Sequence, residues 1–338
     1  MHDVTSSPCP PTASFAELLA AATSRDAIKP EDSKSGATFE RLVIDGEPYL
    51  VKYLSNDWLA AGSLDTTARA AGLWESGVYD DFSDIVDSTV VSAARLSDDG
   101  SGFPSALLMR DVTDCLIPVD DAVDLATHSA FLTAMAGMHA RCWGRPPTAD
   151  LMPFAATYRF LSPAQARLEA TEYGDRSPVL RGVLAGWKSL SKADPELMDI
   201  VAPLLHDPGP LVAALATFPR TFVHGDWKMG NLGRRTDGRV VLLDWDRATA
   251  GPGAADLAWY LAVNSDRLPE SKDEACERYR NALADAGIDT AGWWPRQLSL
   301  AVLGAFLQLG WSKRTQPDEL TWWRSQALEG ERQLRASA

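Results

Sequence analysis

The 338-residue sequence predicts an α+β protein of two packed lobes, a small β-rich N-lobe and a larger helical C-lobe. Three observations carry that expectation. The chain is too long for one minimal domain, so two lobes are the natural arrangement. Strand-like sequence dominates up to about residue 112, and helical periodicity dominates beyond it. A compact β segment then interrupts the helices between residues 221 and 245. The expected division is residues 1–112 and 113–338.

The elements follow in order. Residues 14–22 (SFAELLAAA) read as a short helix. Residues 38–44 and 49–54 read as strands joined by the turn sequence Asp45-Gly46-Glu47-Pro48. A helical stretch runs from Leu64 to about Trp74. Val86–Leu96 and Ala106–Met109 read as further strands separated by the turn SDDGSGFP. Past Val119 the period is helical: 121–142, stopping at Gly144 and two prolines, then 163–172, 179–190, 195–205 and 210–217. After the β segment, helices are expected at 254–263, 270–287, 296–314 and 318–334.

Composition narrows the function classes. With 46% hydrophobic and 23% charged residues, the chain has the balance of a soluble globular protein. A net charge of −14 argues against nucleic acid, which needs a basic footprint. An acidic surface serves solubility and would also attract a cationic substrate such as an amino sugar. Four cysteines form no CxxC pair, which favours a reducing cytoplasm and gives no support for structural zinc. The N-terminal sequence lacks the basic and apolar regions of a signal peptide. The longest apolar run, Leu298 to Leu309, is broken by Ser299 and Gln308 and is too short for a bilayer, so no membrane role is expected. No GxxxxGK[ST] loop is present, which removes the P-loop nucleotide hydrolases.

The chemistry concentrates in TFVHGDWKMGNLGRRTDGRVVLLDWDRATAGPGAADLAW, residues 221–259. Asn231–Arg235 and Arg239–Leu243 read as two strands around Thr236-Asp237-Gly238. An Asp-Gly pair between β-compatible residues signals a two-residue hairpin turn. With Asp237 and Gly238 as that turn, Asn231 falls opposite Asp244, and directly opposed side chains share a face. An amide oxygen beside a carboxylate suits Mg²⁺. Asp226, five residues before Asn231, reaches the same end. Phosphoryl transfer needs a carboxylate for the attacking hydroxyl, a metal site on the phosphates, and a lysine on the non-reacting phosphates. Asp226 suits the first part, and Asn231 with Asp244 the second. Lys52, at the end of the apolar run YLV, suits the third.

His224-Gly225-Asp226-x4-Asn231 followed by Leu243-Asp244-Trp245 resembles the motifs of the aminoglycoside phosphotransferase and choline kinase-like family. That resemblance implies the bilobal protein-kinase fold and use of ATP, with GTP left open, together with Mg²⁺. It implies that Asp256 braces the catalytic loop and that Lys228 touches the transferred phosphate. Arg110-Asp111-Val112 resembles the hinge whose backbone holds the nucleotide base, which marks Arg110 and Val112. Ser35 and Gly36 fall in the segment matching the phosphate-covering loop, which here has a single glycine. The acidic partner of Lys52 is open between Asp65 and Glu75.

Asp256 follows Asp244 by only twelve positions, too few for the peptide platform of a protein kinase, so the expected partner is a small hydroxyl acceptor. Aminoglycosides, amino sugars and other sugars fit that description. Asp256, Asp266 and Glu270 are available to complement a cationic one. The tryptophans Trp293, Trp294, Trp311, Trp322 and Trp323 read first as core and second as an acceptor wall. Asp246 reads equally as a second metal ligand or a substrate-facing carboxylate. The rival classes are a catalytically silent kinase-fold binding protein and a metal-dependent hydrolase. The second is disfavoured by five histidines with no paired ligand spacing.

Overall fold

The computed structural model describes residues 14–29, 37–54, 69–96, 105–118, 121–173, 178–313 and 317–336. Helix α1 (Phe15–Ala20) begins at Ser14, whose hydroxyl accepts from the Glu17 N–H while Glu17 reaches back to Ser14. This reciprocal cap satisfies two of the donors that a helix start leaves open. Strands β1 (Ser24–Ile28), β2 (Thr38–Ile44), β3 (Glu47–Leu54), β5 (Val90–Arg95) and β6 (Ser105–Arg110) form one antiparallel sheet in the order β1-β2-β3-β6-β5. Strand β1 has no counterpart in the sequence reading, because its residues are almost all exposed and carry no alternating pattern.

The β2–β3 turn is tighter than its four-residue turn sequence suggests. Ile44 pairs with Glu47, and only Asp45 and Gly46 turn, both at positive φ (52° and 85°). That is the backbone that an Asp-Gly hairpin favours. Alternation along β3 buries Tyr49 and Val51 in a small core with Phe15, Leu18, Leu42, Ile44, Ala106 and Leu108. The expected single strand 86–96 is broken. Thr89 takes a positive φ of 64°, and β4 (Val86–Asp87) leaves the sheet to pair in parallel with β9 (Val240–Leu242). Of the expected helix 64–74, the described part is α2 (Arg69–Glu75), followed by α3 (Val78–Asp81).

The helical region matches the expected spans to within a few residues. It comprises α4 (Leu125–Arg141), α5 (Phe154–Thr157), α6 (Pro163–Tyr173), α7 (Pro178–Ala193), α8 (Pro195–His206) and α9 (Gly209–Leu215). Beyond the β segment come α10 (Ala254–Val263), α11 (Lys272–Asp285), α12 (Trp294–Lys313) and α13 (Pro317–Arg335). Helix α10 is hydrophobic nearly all round and is buried along almost its whole length, as such a helix must be. It therefore forms a fixed floor beneath the β segment. No helix among the described residues is long and apolar enough to cross a membrane.

The hairpin of β8 (Leu232–Arg234) and β9 departs from its expected register. Leu232 pairs with Leu242 and Arg234 with Val240, while the Arg235 N–H donates to the Arg239 carbonyl. The loop is thus three residues, Thr236 to Gly238, with Gly238 at a φ of 92°. A three-residue loop closed by a left-handed glycine is the next most common hairpin solution after two-residue turns. It moves Asn231 opposite Leu243, whose N–H donates to the Asn231 carbonyl at 2.9 Å.

Candidate active site

Strand β7 (Thr221–Val223) pairs with β10 (Thr249–Gly251) and delivers His224-Gly225-Asp226 into a buried loop. Gly225 stands at a φ of 84°, and an added Cβ there would lie 2.7 Å from the Arg247 carbonyl. Both facts select glycine. Asp256, on the first turn of α10, holds this loop from below. It accepts from the His224 N–H (2.8 Å), the Gly225 N–H (2.7 Å), the Trp227 indole (3.1 Å) and His139 Nε2 (3.1 Å). Burial alone would raise its pKa, but these donors, led by His139, keep it below the usual carboxylate range. The bracing role that the resemblance implied for Asp256 thus has four donors behind it. His139 is in turn fixed by the Tyr279 hydroxyl at 2.6 Å.

Asp226 is buried, with its two oxygens facing different ways. Oδ2 accepts from Asn231 Nδ2 (2.9 Å) and has Lys228 Nζ at 4.0 Å. Oδ1 accepts from the Trp259 indole (3.0 Å) and has Arg247 Nη1 at 4.0 Å. Asn231 also donates to the Asp226 carbonyl (3.0 Å), so both its amide hydrogens are spent and its orientation is set. Its Oδ1 is left to accept from elsewhere. The backbone N–H of Asp226 donates to His224 Nδ1 at 3.2 Å. Burial lowers the pKa of the His224 imidazole, against the pull of Asp256 and Asp226. With Nδ1 taking the Asp226 N–H, the His224 ring ties the loop back on itself.

Asp244 has a left-handed backbone, φ 66°, where β9 ends. Lys52 projects from the middle of the N-terminal sheet, with Nζ 2.5 Å from Asp244 Oδ1 and 2.9 Å from Asp246 Oδ2. Burial would push the Lys52 ammonium down, but Asp244 and Asp246 outweigh it and hold it above the usual lysine range. Burial would likewise raise Asp244, yet Lys52 and Lys228 bring it well below the ordinary carboxylate value. Asp246 goes the other way: burial raises it, Lys52 offsets part of that, and Asp244 pushes it up again. Its Oδ1 is buried with no hydrogen-bond partner among the described residues. Helix α2 adds Arg69, which donates to the Asp246 carbonyl at 2.7 Å.

The donor set fits a hard divalent cation. The carboxylate of Asp244, the amide oxygen of Asn231 and the orphaned oxygen of Asp246 are all hard ligands. Among the described residues no three His, Cys, Asp or Glu side chains converge into a complete cage. A cation here would draw its remaining ligands from phosphate and water, as Mg²⁺ does.

The other expected positions fall as follows. Glu75 is not the partner of Lys52, because its carboxylate takes Arg95 at 3.0 Å on the exposed side of α2. Asp65, Ser35 and Gly36 lie outside the described residues. The Arg110 guanidinium is tied to Asp87, which also binds Arg235 at 2.9 Å. Val112 ends the connection from β6, its carbonyl capping a short turn through the Cys115 N–H. Trp294 and Trp323 are fully buried against Tyr279 and Phe306 and belong to the core. Trp259 stands beside Asp226 and, with Phe160, flanks Arg247; the sequence reading passed over all three. A tryptophan directly after Asp256-Leu257-Ala258 on a largely apolar helix gave no signal beyond packing.

Solved structures share this architecture. The aminoglycoside phosphotransferase APH(3'')-Id of Streptomyces rimosus matches with a TM-score of 0.51 at 19% identity, over 88% of this chain and 98% of that one. A microcompartment-associated aminopropanol kinase matches with a TM-score of 0.50 at 14% identity, over 93% of each chain. The choline kinase of Streptococcus pneumoniae matches with a TM-score of 0.46 at 14% identity, over 93% and 94% of the two chains. At these identities the first two matches are likenesses of fold, the bilobal protein-kinase-like arrangement. Among curated proteins none matches. The profile of the phosphotransferase enzyme family matches residues 34–294, well over half of the chain, and with the kinase-like architecture already described it shows that this chain belongs to that family.

Proposed function

We propose that the protein moves the γ-phosphate of ATP to a hydroxyl of a small acceptor, an aminoglycoside, amino sugar or other sugar being the classes first considered. The observation that supports this most is the division of Asp226. One oxygen is turned toward Asn231 and Lys228, the other toward Trp259 and Arg247. A carboxylate so held can accept a proton from a hydroxyl while that hydroxyl faces the phosphate. Asn231 and Asp244 would hold Mg²⁺, which supplies charge neutralisation on the phosphates when bound.

Each residue then has a task. Asp226 receives the hydroxyl proton. Trp259 and Asn231 fix its rotamer, so little reorganisation is left for the reacting state. Lys228, 4.0 Å from Asp226 and electrostatically coupled to Asp244, stands where it can meet the transferred group. Lys52 is kept charged by Asp244 and Asp246 and has a third N–H to offer the non-reacting phosphates. The backbone at Arg110 and Val112 would seat the base, and Ser35 with Gly36 would cover the phosphates. The acid that completes the Lys52 site is Asp246 rather than Glu75.

The experiment is an ATP-consumption screen over hydroxylated small molecules, with Asp226→Ala as the blank. Consumption that depends on both acceptor and Asp226 is expected. The same turnover in Asp226→Ala would remove Asp226 as the base. A Mg²⁺-dependent nucleotide shift in melting temperature, with no phosphate consumed on any acceptor, would make the chain a silent binder.

A further inference from the structure

Arg247 is the unexpected charge of the site. It follows Asp246 and lies beside the Oδ1 oxygen of Asp226. Its guanidinium carbon stands 4.1 Å from the Phe160 ring centroid and 4.3 Å from that of Trp259, in the angle between the two rings. Its side chain is only 11% exposed. Burial lowers its pKa, with Asp226 and Asp256 acting against that loss. Arginine presents five N–H donors in a planar fork. One of them meets Gln308 Oε1 at 3.1 Å. Nη1 stands 4.0 Å from Asp226, beyond a hydrogen bond. Nε and Nη1 have no acceptor among the described residues, and neither is sealed from solvent in the way the orphaned oxygen of Asp246 is. The fork is therefore mostly buried, held by two rings, and largely unspent.

The rest of the charge pattern agrees. Lys228 flanks the other oxygen of Asp226, so the base sits between two cations. The acids that the sequence offered to a cationic acceptor are engaged elsewhere or lie at the surface. Asp256 braces the catalytic loop. Glu270 binds Arg278 (2.5 Å) and His128 (2.9 Å). Asp266 is exposed at the surface. Asp244 and Asp246 are bound to Lys52 on the metal side. An ammonium group brought to the Trp259 side of Asp226 would meet the Arg247 guanidinium there.

We infer that Arg247 is an acceptor-selecting residue and that the acceptor is a hydroxylated acid, with a carboxylate or comparable anion received by the guanidinium fork beside the hydroxyl that faces Asp226. This rests on the kinase reading above and replaces its amino-sugar option. The bond formed joins the acceptor oxygen to the γ-phosphorus, the bond broken is to the β,γ-bridging oxygen, and the hydroxyl proton goes to Asp226. The anion on Arg247 takes no part in that exchange.

The test uses matched sets on one skeleton, such as glucuronate, glucose and glucosamine, and other hydroxy acids with their neutral and amine partners. Binding is measured by calorimetry without nucleotide, and ATP consumption is measured separately. The expected order is acid over neutral over amine. Arg247→Gln should weaken the acid by about ten- to a hundredfold and its neutral partner by less than threefold, the scale of a charge-assisted hydrogen bond. Arg247→Lys should restore part of the preference. Amines that bind as well as acids, no acid that binds better than its partners, or an equal loss on acid and neutral in Arg247→Gln would overturn the inference. Acid binding that follows Arg247 without any ATP consumption would leave it standing and remove the kinase reading instead.

Discussion

The Trp259 indole donates to Oδ1 of Asp226 at 3.0 Å, and the same ring flanks the Arg247 guanidinium at 4.3 Å. A single side chain from the buried helix α10 thus sets the position of the carboxylate and of the cation beside it. Trp259→Phe keeps a ring for Arg247 and removes the N–H. Loss of one hydrogen bond to a charged group leaves the carboxylate freer to rotate, so kcat should fall by about tenfold. Nucleotide affinity should not change, because the metal side of Asp226 keeps Asn231. Steady-state kinetics with a nucleotide titration check both halves. A shift in nucleotide affinity equal to the loss in kcat would mean that Trp259 supports the whole site rather than the base.

Asp256 carries a larger structural share. Its four donors include both backbone N–H groups at the start of the catalytic loop. In Asp256→Asn one acceptor oxygen becomes an amide donor, and any orientation sets N–H against N–H. A buried donor left without a partner costs about 1–3 kcal/mol, and the lost charge adds to that. Both the thermal midpoint and turnover should drop. Turnover should drop further than the unfolded fraction explains, since the loop carries Asp226. Calorimetry and activity on the same sample separate the two. A variant with wild-type turnover below its lowered midpoint would confine Asp256 to stability.

Asp244 and Lys52 make the contact across the two lobes that nucleotide binding should depend on. Asp244→Ala removes the carboxylate at 2.5 Å and leaves Lys52 with Asp246 alone. The Mg²⁺-dependent part of the nucleotide-induced rise in melting temperature should disappear. An unchanged Mg²⁺ titration in Asp244→Ala would refute its assignment to the metal.

The legibility of this site in the sequence follows from the range of the interactions involved. His224, Asp226, Asn231 and Asp244 stand at short, fixed spacings, and local backbone geometry brings them to one end of a hairpin. The reason offered for Asn231 and Asp244 was wrong by one residue. The Asp237-Gly238 pair makes a three-residue loop, because Gly238 alone takes the left-handed conformation. Asn231 nevertheless reaches the site, through its amide bonds to Asp226 rather than by facing Asp244 across the ladder. The break at Thr89, which sends β4 to the other lobe, needed a positive φ at a β-branched residue that composition does not announce. Arg247, Trp259 and Phe160 meet only in three dimensions. Each had a sufficient local explanation, as loop, buried helix and packing, and that hid their common position. Lys52 was legible by its place on the strand; of the two acids offered for it, Glu75 faces Arg95 and Asp65 lies outside the described residues, while Asp246, 194 residues away, carried no local signal as a partner.

A second buried lysine allows a test of the electrostatics away from the site. Lys313, at the end of α12, donates to the Ala262 carbonyl at 2.5 Å and lies 3.6 Å from Glu319. Burial pushes its pKa down from 10.5 to about 8, despite the opposing pull of Glu319. Between those two values the unfolded chain holds a proton on this side chain that the folded chain has released. Stability therefore rises with pH across that window, and below it the folded state carries a buried charge at a cost of roughly 1–3 kcal/mol. Lys313→Met removes this linkage and leaves every other titrating group in place. The melting temperature of the wild type minus that of the variant should climb as pH goes from 8 to 10 and be flat from 6 to 7.5. A difference that is flat throughout would show that the lysine stays charged in the fold, with Glu319 and the Ala262 carbonyl outweighing its burial.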